Sequence, residues 1–219
     1  KMQAHWRYIV ARWGSLPAIW CAAGEQTMPW YLSETPEQEA RMLRDGWSEV
    51  IRYLRQIDQG RHLITTHPTK DGRDSANDPS LLDFDMQQTG HKQPTPVHAW
   101  RASQGWIKRP EMPVICGESR YEALEIKPTL TARDAREAFW AHMLNSGCAG
   151  HTYGVNGLWQ VNLPAQRFGP SPLGHDWGGT PWQTALGLPG SQHMQVAKSI
   201  LTRLRWYDLI RSPALAKRT

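Results

Sequence analysis

Two short apolar runs in this chain end in the same dipeptide. Leu16-Pro17-Ala18-Ile19-Trp20-Cys21-Ala22-Ala23 leads into Gly24-Glu25, and Pro113-Val114-Ile115-Cys116 leads into Gly117-Glu118. If both runs are buried strands of one parallel arrangement, both carboxyl groups stand at its carboxyl edge. Two carboxyl groups at one mouth can carry glycoside hydrolysis. One protonates the leaving oxygen while the other attacks the anomeric carbon or activates water. Taken singly, a Glu after a strand is better explained as a solvated loop residue or a helix-start partner, and it is the repetition that singles these two out. Other strand ends add polar and aromatic groups: His67, the run Gln87-Gln88-Thr89-Gly90-His91, and the segment from His151 to Trp159.

The elements that would position these groups alternate. Trp6, Ile9, Val10 and Trp13 fall on one face of a helix closed by Gly14. Thr35 reads as an N-cap, Pro36 as the first helical residue and Gln38 as its capping-box partner. Leu43, Trp47, Val50, Ile51, Leu54 and Ile57 form the apolar stripe of that helix, and Gly60 follows it. His62–His67 reads as a strand, Lys70–Pro79 as a polar loop, Leu82–Thr89 as a strand, and Thr95–Gly105 as a shorter helix. Thr131 caps a further helix with Asp134, with Ala135, Ala138, Phe139 and Met143 inward and Gly147 at its end. Gly150–Tyr153 is a strand candidate, and the last helix carries Met194, Ala197, Leu201 and Leu204. This order argues for an α/β fold with a parallel sheet, either doubly wound or a (β/α) barrel. No GxGxxG or GxxxxGK[ST] follows a strand, which counts against a nucleotide-binding doubly wound fold. A barrel would gather the polar strand ends at one face. About five strands are legible and the chain begins inside a helix. If the architecture is the barrel, the expectation is an N-terminally truncated (β/α)8 TIM barrel holding strands 4 to 8 over residues 1–210, with 211–219 a tail or the start of a linker.

Composition narrows the classes. The chain has 219 residues, 40% hydrophobic and 21% charged, enough to bury a core. Three cysteines cannot pair completely, and Cys116, inside its strand, reads as a buried, inert thiol. The formal charge is +5 with the basic residues scattered, apart from a thickening at Lys198, Arg203, Arg205, Arg211, Lys217 and Arg218. That reads as a solvated surface, so neither a nucleic acid nor a membrane is expected as partner. Twelve Trp against three Phe exceed what bulk alone requires, since each indole N–H wants an acceptor. Stacking platforms for sugar rings would use them, with Trp159 and Trp177 as candidates.

Several separate motifs, in order, are similar to those of the apiosidase-like glycoside hydrolases. They are Tyr8-Ile9-Val10-Ala11-Arg12-Trp13-Gly14 through Gly24-Glu25; Gln88-Thr89-Gly90-His91; Pro113 through Glu122; Ala149-Gly150-His151-Thr152-Tyr153-Gly154; Trp159-Gln160; and Trp182-Gln183-Thr184-Ala185-Leu186 to Pro189-Gly190-Ser191. The resemblance spans about residues 5–210. It implies a retaining glycosidase on a (β/α)8 barrel, with Glu25 as general acid/base after the fourth strand and Glu118 as nucleophile after the seventh. His151, Tyr153, Trp159 and Gln160 would shape the sugar subsite, His67 and His91 would end the fifth and sixth strands, and Trp20 and Tyr121 would complete the substrate-binding set. Trp20 and Trp30 would give Glu25 an apolar neighbourhood, and Arg120 or Tyr121 would donate to Glu118. The retaining clan commonly has Asn before its acid/base, where this chain has Gly24, so sugar recognition departs there. The resemblance further implies an oligosaccharide or polysaccharide substrate, no cofactor and no metal, secretion or periplasmic export, and a C-terminal β-sandwich domain in the full-length protein. Two alternatives stay open: a glycan-binding relative that does not cut, and a metal-dependent barrel hydrolase with His67, His91, His151 and Asp176 as ligands.

Overall fold

A computed structural model describes residues 1–28, 32–145 and 148–209. Trp30, Gly147 and the 211–219 tail, with Arg211, Lys217 and Arg218, lie outside the described residues. The chain divides into two compact units, residues 1–88 with 105–117, and residues 89–104 with 118–219. Among the described residues, no helix is long and apolar enough to cross a membrane.

The first unit is built on α1 (Met2–Trp13), β1 (Ile19–Cys21), α2 (Pro36–Asp58), β2 (Leu63–Thr65), the single turn α3 (Gly72–Ser75) and β3 (Asp85–Gln88). Strand β1 pairs parallel with β2, Ile19 opposite Leu63 and Cys21 opposite Thr65. The core joins Trp6 of α1, Trp20 of β1, Ile51 and Leu54 of α2 and Ile64 of β2 to Ala22, Ala76 and Leu82. The expected α2 begins at Pro36, but Thr35 makes no side-chain cap. Its own N–H, which Gln38 would have accepted, donates instead to Ser33 Oγ at 3.0 Å. The helix ends at two left-handed residues, Gln59 and Gly60.

Strand β1 departs from the expectation of burial on both faces. The period of two turns Trp20 inward and leaves Ile19 and Cys21 exposed. The polar stretch from Lys70 also departs, because Gly72–Ser75 is helical and Arg73 is buried. The Arg73 Nε donates to Asp85 Oδ2 at 2.8 Å and its two terminal nitrogens to the carbonyls of Pro110 and Gly105. A buried guanidinium requires such partners, and Asp85 at the start of β3 supplies the charge.

β4 (Val114–Glu118) starts in the first unit and its last residue belongs to the second. The Asp85 N–H donates to Pro113 O, and the Thr89 N–H to Glu118 O, both at 2.8 Å. Donor and acceptor numbers rise together, as parallel pairing of β3 and β4 requires. α4 (Thr95–Ile107) begins in the second unit, followed there by α5 (Ala132–Met143), β5 (Gly150–His151), β6 (Asn156–Gly157), β7 (Trp159–Val161), α6 (Trp182–Leu186) and α7 (Gly190–Leu201). The capping box of Thr131 and Asp134 forms as expected. Phe139 and Met143 of α5 pack with Cys148 and with Ala197 and Leu201 of α7, while Leu204 is exposed beyond the helix end. Tyr121, Leu124 and Leu130 make a smaller core with Ile126 and Trp177.

One buried carboxylate ties the first unit together. Asp58 closes α2, where the helix dipole disfavours an anion. It is held by Trp20 Nε1 at 2.9 Å, the His62 N–H at 2.9 Å and His62 Nδ1 at 2.7 Å. Burial pushes its carboxyl up, but the bonds from Trp20 and His62 outweigh that and hold it below the usual range. His62 places its other ring nitrogen on the Leu16 carbonyl. The bond to Asp58 and then that to Leu16 hold the imidazolium above the ordinary histidine range. The stabilisation from His62 is therefore complete below about pH 6.5 and lost as pH rises through its raised value. Accordingly, the loss of urea stability in His62→Gln is larger at about pH 6 than at about pH 9. An equal loss at both would show that the charge on His62 contributes nothing.

Candidate active site

Glu25 stands in the turn that follows β1, partly buried, with a left-handed φ of 41°. Backbone bonds fix this turn to His67, two residues past the end of β2. The His67 N–H donates to Ala23 O and the Gln26 N–H to His67 O, both at 3.0 Å, and the Met28 N–H returns to Glu25 O at 2.7 Å. Gln26 is buried, with its amide on Thr66 Oγ1 and the Ser75 carbonyl. The carboxylate of Glu25 accepts from Gln88 Nε2 of β3 at 2.9 Å. His67 thus brackets the turn through its backbone. Trp20 does not serve as a sugar platform: it is a core side chain, packed edge-on to Trp6 and beside His62, with its N–H on Asp58.

The second unit assembles a denser site. Glu118 is buried at the end of β4, and its Oε1 lies 3.1 Å from His91 Nε2. The other ring nitrogen of His91 is 2.5 Å from the Ser119 carbonyl oxygen. The imidazole is surrounded by Tyr121 at 4.8 Å between ring centroids, Trp177 at 5.5 Å and Trp159 at 6.2 Å. Tyr121 and Trp177 also meet Trp159 edge-on, at 5.5 and 6.1 Å. His91, Glu118, Tyr121 and Trp159 are thereby brought together, with Trp159 the outermost. Trp177 both packs on the small core and lines this cluster.

The donor expected of Arg120 falls to His91. The guanidinium of Arg120 is turned to the start of α4, where it donates to the Gln93 carbonyl and to Thr95 Oγ1. Gln160 sits in β7 with a left-handed φ of 54°. Tyr153 gives its hydroxyl to the buried Glu122 Oε2 at 2.5 Å, and that same oxygen accepts the Gly190 N–H at 2.9 Å. Burial and then Glu122 push the Tyr153 phenol well up, so it stays a donor.

Behind Glu118 lies a row of neutral histidines that the sequence reading missed but for His151. Ser119 Oγ contacts His151 Nε2 at 3.5 Å, His151 Nδ1 meets His142 Nδ1 at 3.0 Å, and the His142 ring lies edge-on to His98. His98 reaches Thr89 Oγ1 at 2.8 Å. Burial is the chief cause that pushes His98 down to about 4, His142 to about 2 and His151 to about 3. Placement of His98 and His142 on the inner faces of α4 and α5 was the one signal for them, and a histidine on an inner face gives no sign of its neighbours.

The two Gly-Glu dipeptides differ in what their glycines do. A Cβ on Gly117 would meet Met86 Cγ and Sδ at 2.5 Å, so packing of β3 demands glycine there. A Cβ on Gly24 would meet nothing within 4 Å.

The family model described as apiosidase-like, catalytic domain, matches residues 1–208. A glycoside hydrolase family 5 structure from Bacteroides vulgatus is similar at 22% identity with a TM-score of 0.77, covering 100% of this chain and 49% of that one. A second structure, described as a glycoside hydrolase, is similar at 22% identity with a TM-score of 0.72, covering 94% of this chain and 47% of that one. At this identity the likeness is one of fold, and the chain spans about half the length of these structures. No curated protein matches the chain.

Two outcomes follow from the geometry. Gly24→Ala changes stability by less than about 0.5 kcal/mol, while Gly117→Ala, which must displace Met86, costs about 1–3 kcal/mol in urea denaturation. Below about pH 6.5 the unfolded chain takes up protons that folded His98, His142 and His151 refuse, so stability falls with acidification. Replacing His142 by Leu flattens the slope of urea midpoint against pH between about pH 6.5 and 4.5, and an unchanged slope would contradict its burial as the neutral form.

Proposed function

The chain belongs to the apiosidase-like catalytic-domain family, and from that premise we propose that it is a glycosidase acting on a plant or microbial oligosaccharide or polysaccharide with retention of configuration. Glu118 is the nucleophile and Glu25 the general acid/base. The observation that carries this reading is the setting of Glu118: a buried carboxylate at a strand end, 3.1 Å from His91 Nε2, whose ring in turn is flanked by Tyr121, Trp159 and Trp177. A sugar ring recognised there would stack on Trp159, the most open of those rings. The recurrence of Gly-Glu after β1 and within β4, with Glu25 oriented by Gln88, supports the pairing.

In the first step Glu25 gives its proton to the leaving oxygen while a Glu118 oxygen bonds to the anomeric carbon and the glycosidic bond breaks. In the second, Glu25 takes a proton from water as that water displaces the Glu118 ester, which restores both carboxyl groups. Recognition of the sugar 2-hydroxyl falls to a donor other than residue 24, where glycine leaves open space. We read residues 1–210 as the part of a (β/α)8 barrel holding strands 4 to 8.

The test is digestion of a panel of plant cell-wall oligosaccharides by the full-length protein, with product anomers read by NMR. Wild type releases a sugar of retained configuration, and Glu25→Gln and Glu118→Gln each lose about 10²–10⁴-fold or more in kcat. Release of the inverted anomer would overturn the nucleophile assignment, and binding without release would make the chain a glycan-binding relative.

A further inference from the structure

We infer that His91 is the positioning residue for Glu118 and holds its carboxylate through a proton on Nε2, so that His91 works as an imidazolium. The kinetic part of this inference rests on the role proposed above for Glu118, and the protonation part rests on geometry alone. A carbonyl oxygen has no proton to give, so the contact of 2.5 Å between His91 Nδ1 and Ser119 O places a proton on Nδ1. A neutral imidazole carries one N–H. With that one spent on Ser119, Nε2 would present a lone pair to Glu118 Oε1 at 3.1 Å, two acceptors face to face. The contact therefore needs a second proton, held either by His91 beside a carboxylate or by Glu118 beside a neutral ring.

The surroundings favour the first. The imidazole is flanked by Tyr121 and Trp177, with centroids 4.8 and 5.5 Å away, inside the roughly 6 Å over which an aromatic ring attracts a cation. A charge-assisted bond to carboxylate is also stronger than its neutral counterpart. The other titratable and charged groups nearby do not oppose a positive charge enough to exclude it. His98 on α4, which acts electrostatically on His91, is kept uncharged at neutral pH by its burial. Arg101 of α4 lies beside Gly90 on the Thr89 carbonyl, and Arg120 is itself flanked by Asp134 and Glu137 of α5. The consequence is that base severs the Glu118 contact by removing the Nε2 proton. The alkaline side of the pH–rate profile then reports His91 as well as the general acid.

Long-range ¹H–¹⁵N NMR of the whole chain reads the two ring nitrogens directly. At neutral pH the wild type shows both nitrogens of His91 protonated. In Glu118→Gln the side-chain amide can donate to a bare Nε2, and His91 reverts to the form protonated at Nδ1 alone. A bare Nε2 in the wild type overturns the inference, because Glu118 must then carry the proton. The kinetic arm uses His91→Gln, which keeps an N–H donor that does not titrate. Its kcat/KM profile keeps the limb of the general acid but moves the alkaline side by about one pH unit or more, while His91→Phe lowers kcat about tenfold or more with little change in KM. An alkaline limb unmoved in His91→Gln also overturns the inference. If no glycoside is cleaved, the proposed activity fails, and the NMR result still decides the state of His91.

Discussion

A carboxylate taken out of water must find donors, and among the described residues four are buried: Asp58, Asp85, Glu118 and Glu122. Much of its irregular structure exists to satisfy that constraint, because leaving a buried charge uncompensated costs several kcal/mol. Asp58 draws Trp20 and His62 to the end of α2. Asp85 draws Arg73 into the interior, which turns Gly72–Ser75 into a helical turn within an otherwise polar stretch. Glu122 takes the Tyr153 hydroxyl and the Gly190 N–H, and it lies so close to Gly190 that a Cβ there would stand 2.2 Å from Oε2. Only glycine allows that approach, so the start of α7 is fixed by a carboxylate far away in sequence.

The four differ in what their donors can do afterwards. Arg73 does not titrate, and the phenol of Tyr153 is pushed further from titration by its burial. Asp58 and Glu118 instead face histidines, and the two histidines are wired alike, one ring nitrogen on a backbone carbonyl and the other on the carboxylate. The setting separates them. Asp58 has two further donors and closes a core. Glu118 ends a strand beside an aromatic cluster that becomes more open toward Trp159. The same wiring thus serves stability in one unit and a reactive group in the other. The histidines behind Glu118 mark the opposite limit, since burial keeps His98, His142 and His151 neutral and removes competing charge from its back.

Local rules in the sequence succeeded where one segment contains the whole cause. The Thr131–Asp134 capping box, the stripe of α2, and the alternation of strand with helix need only neighbouring residues to form. They failed where a cause sits elsewhere in the chain. The cap expected of Thr35 and Gln38 was displaced by Ser33, and the run at Leu16–Ala23 read as uniformly buried because apolarity does not reveal which face has a partner. Trp20 shows the same limit: its type fitted a sugar platform, but the Asp58 carboxylate and the ring of Trp6 made it core.

The sequence by itself determined the family, the alternating order of elements, and the two Gly-Glu strand ends, because each is written in contiguous residues. It also placed His91, Tyr121 and Trp159 among the candidates without saying how they meet. Only the tertiary structure decided that His91 rather than Arg120 faces Glu118, that Gln88 holds Glu25, and that Tyr153 serves Glu122. It also separated two dipeptides of identical sequence: Gly117 is required by Met86 of the neighbouring strand, whereas Gly24 faces open space. The reason is the same in each case. A hydrogen bond or a steric contact depends on distances of a few tenths of an ångström between residues distant along the chain, and residue type and spacing carry no record of those distances.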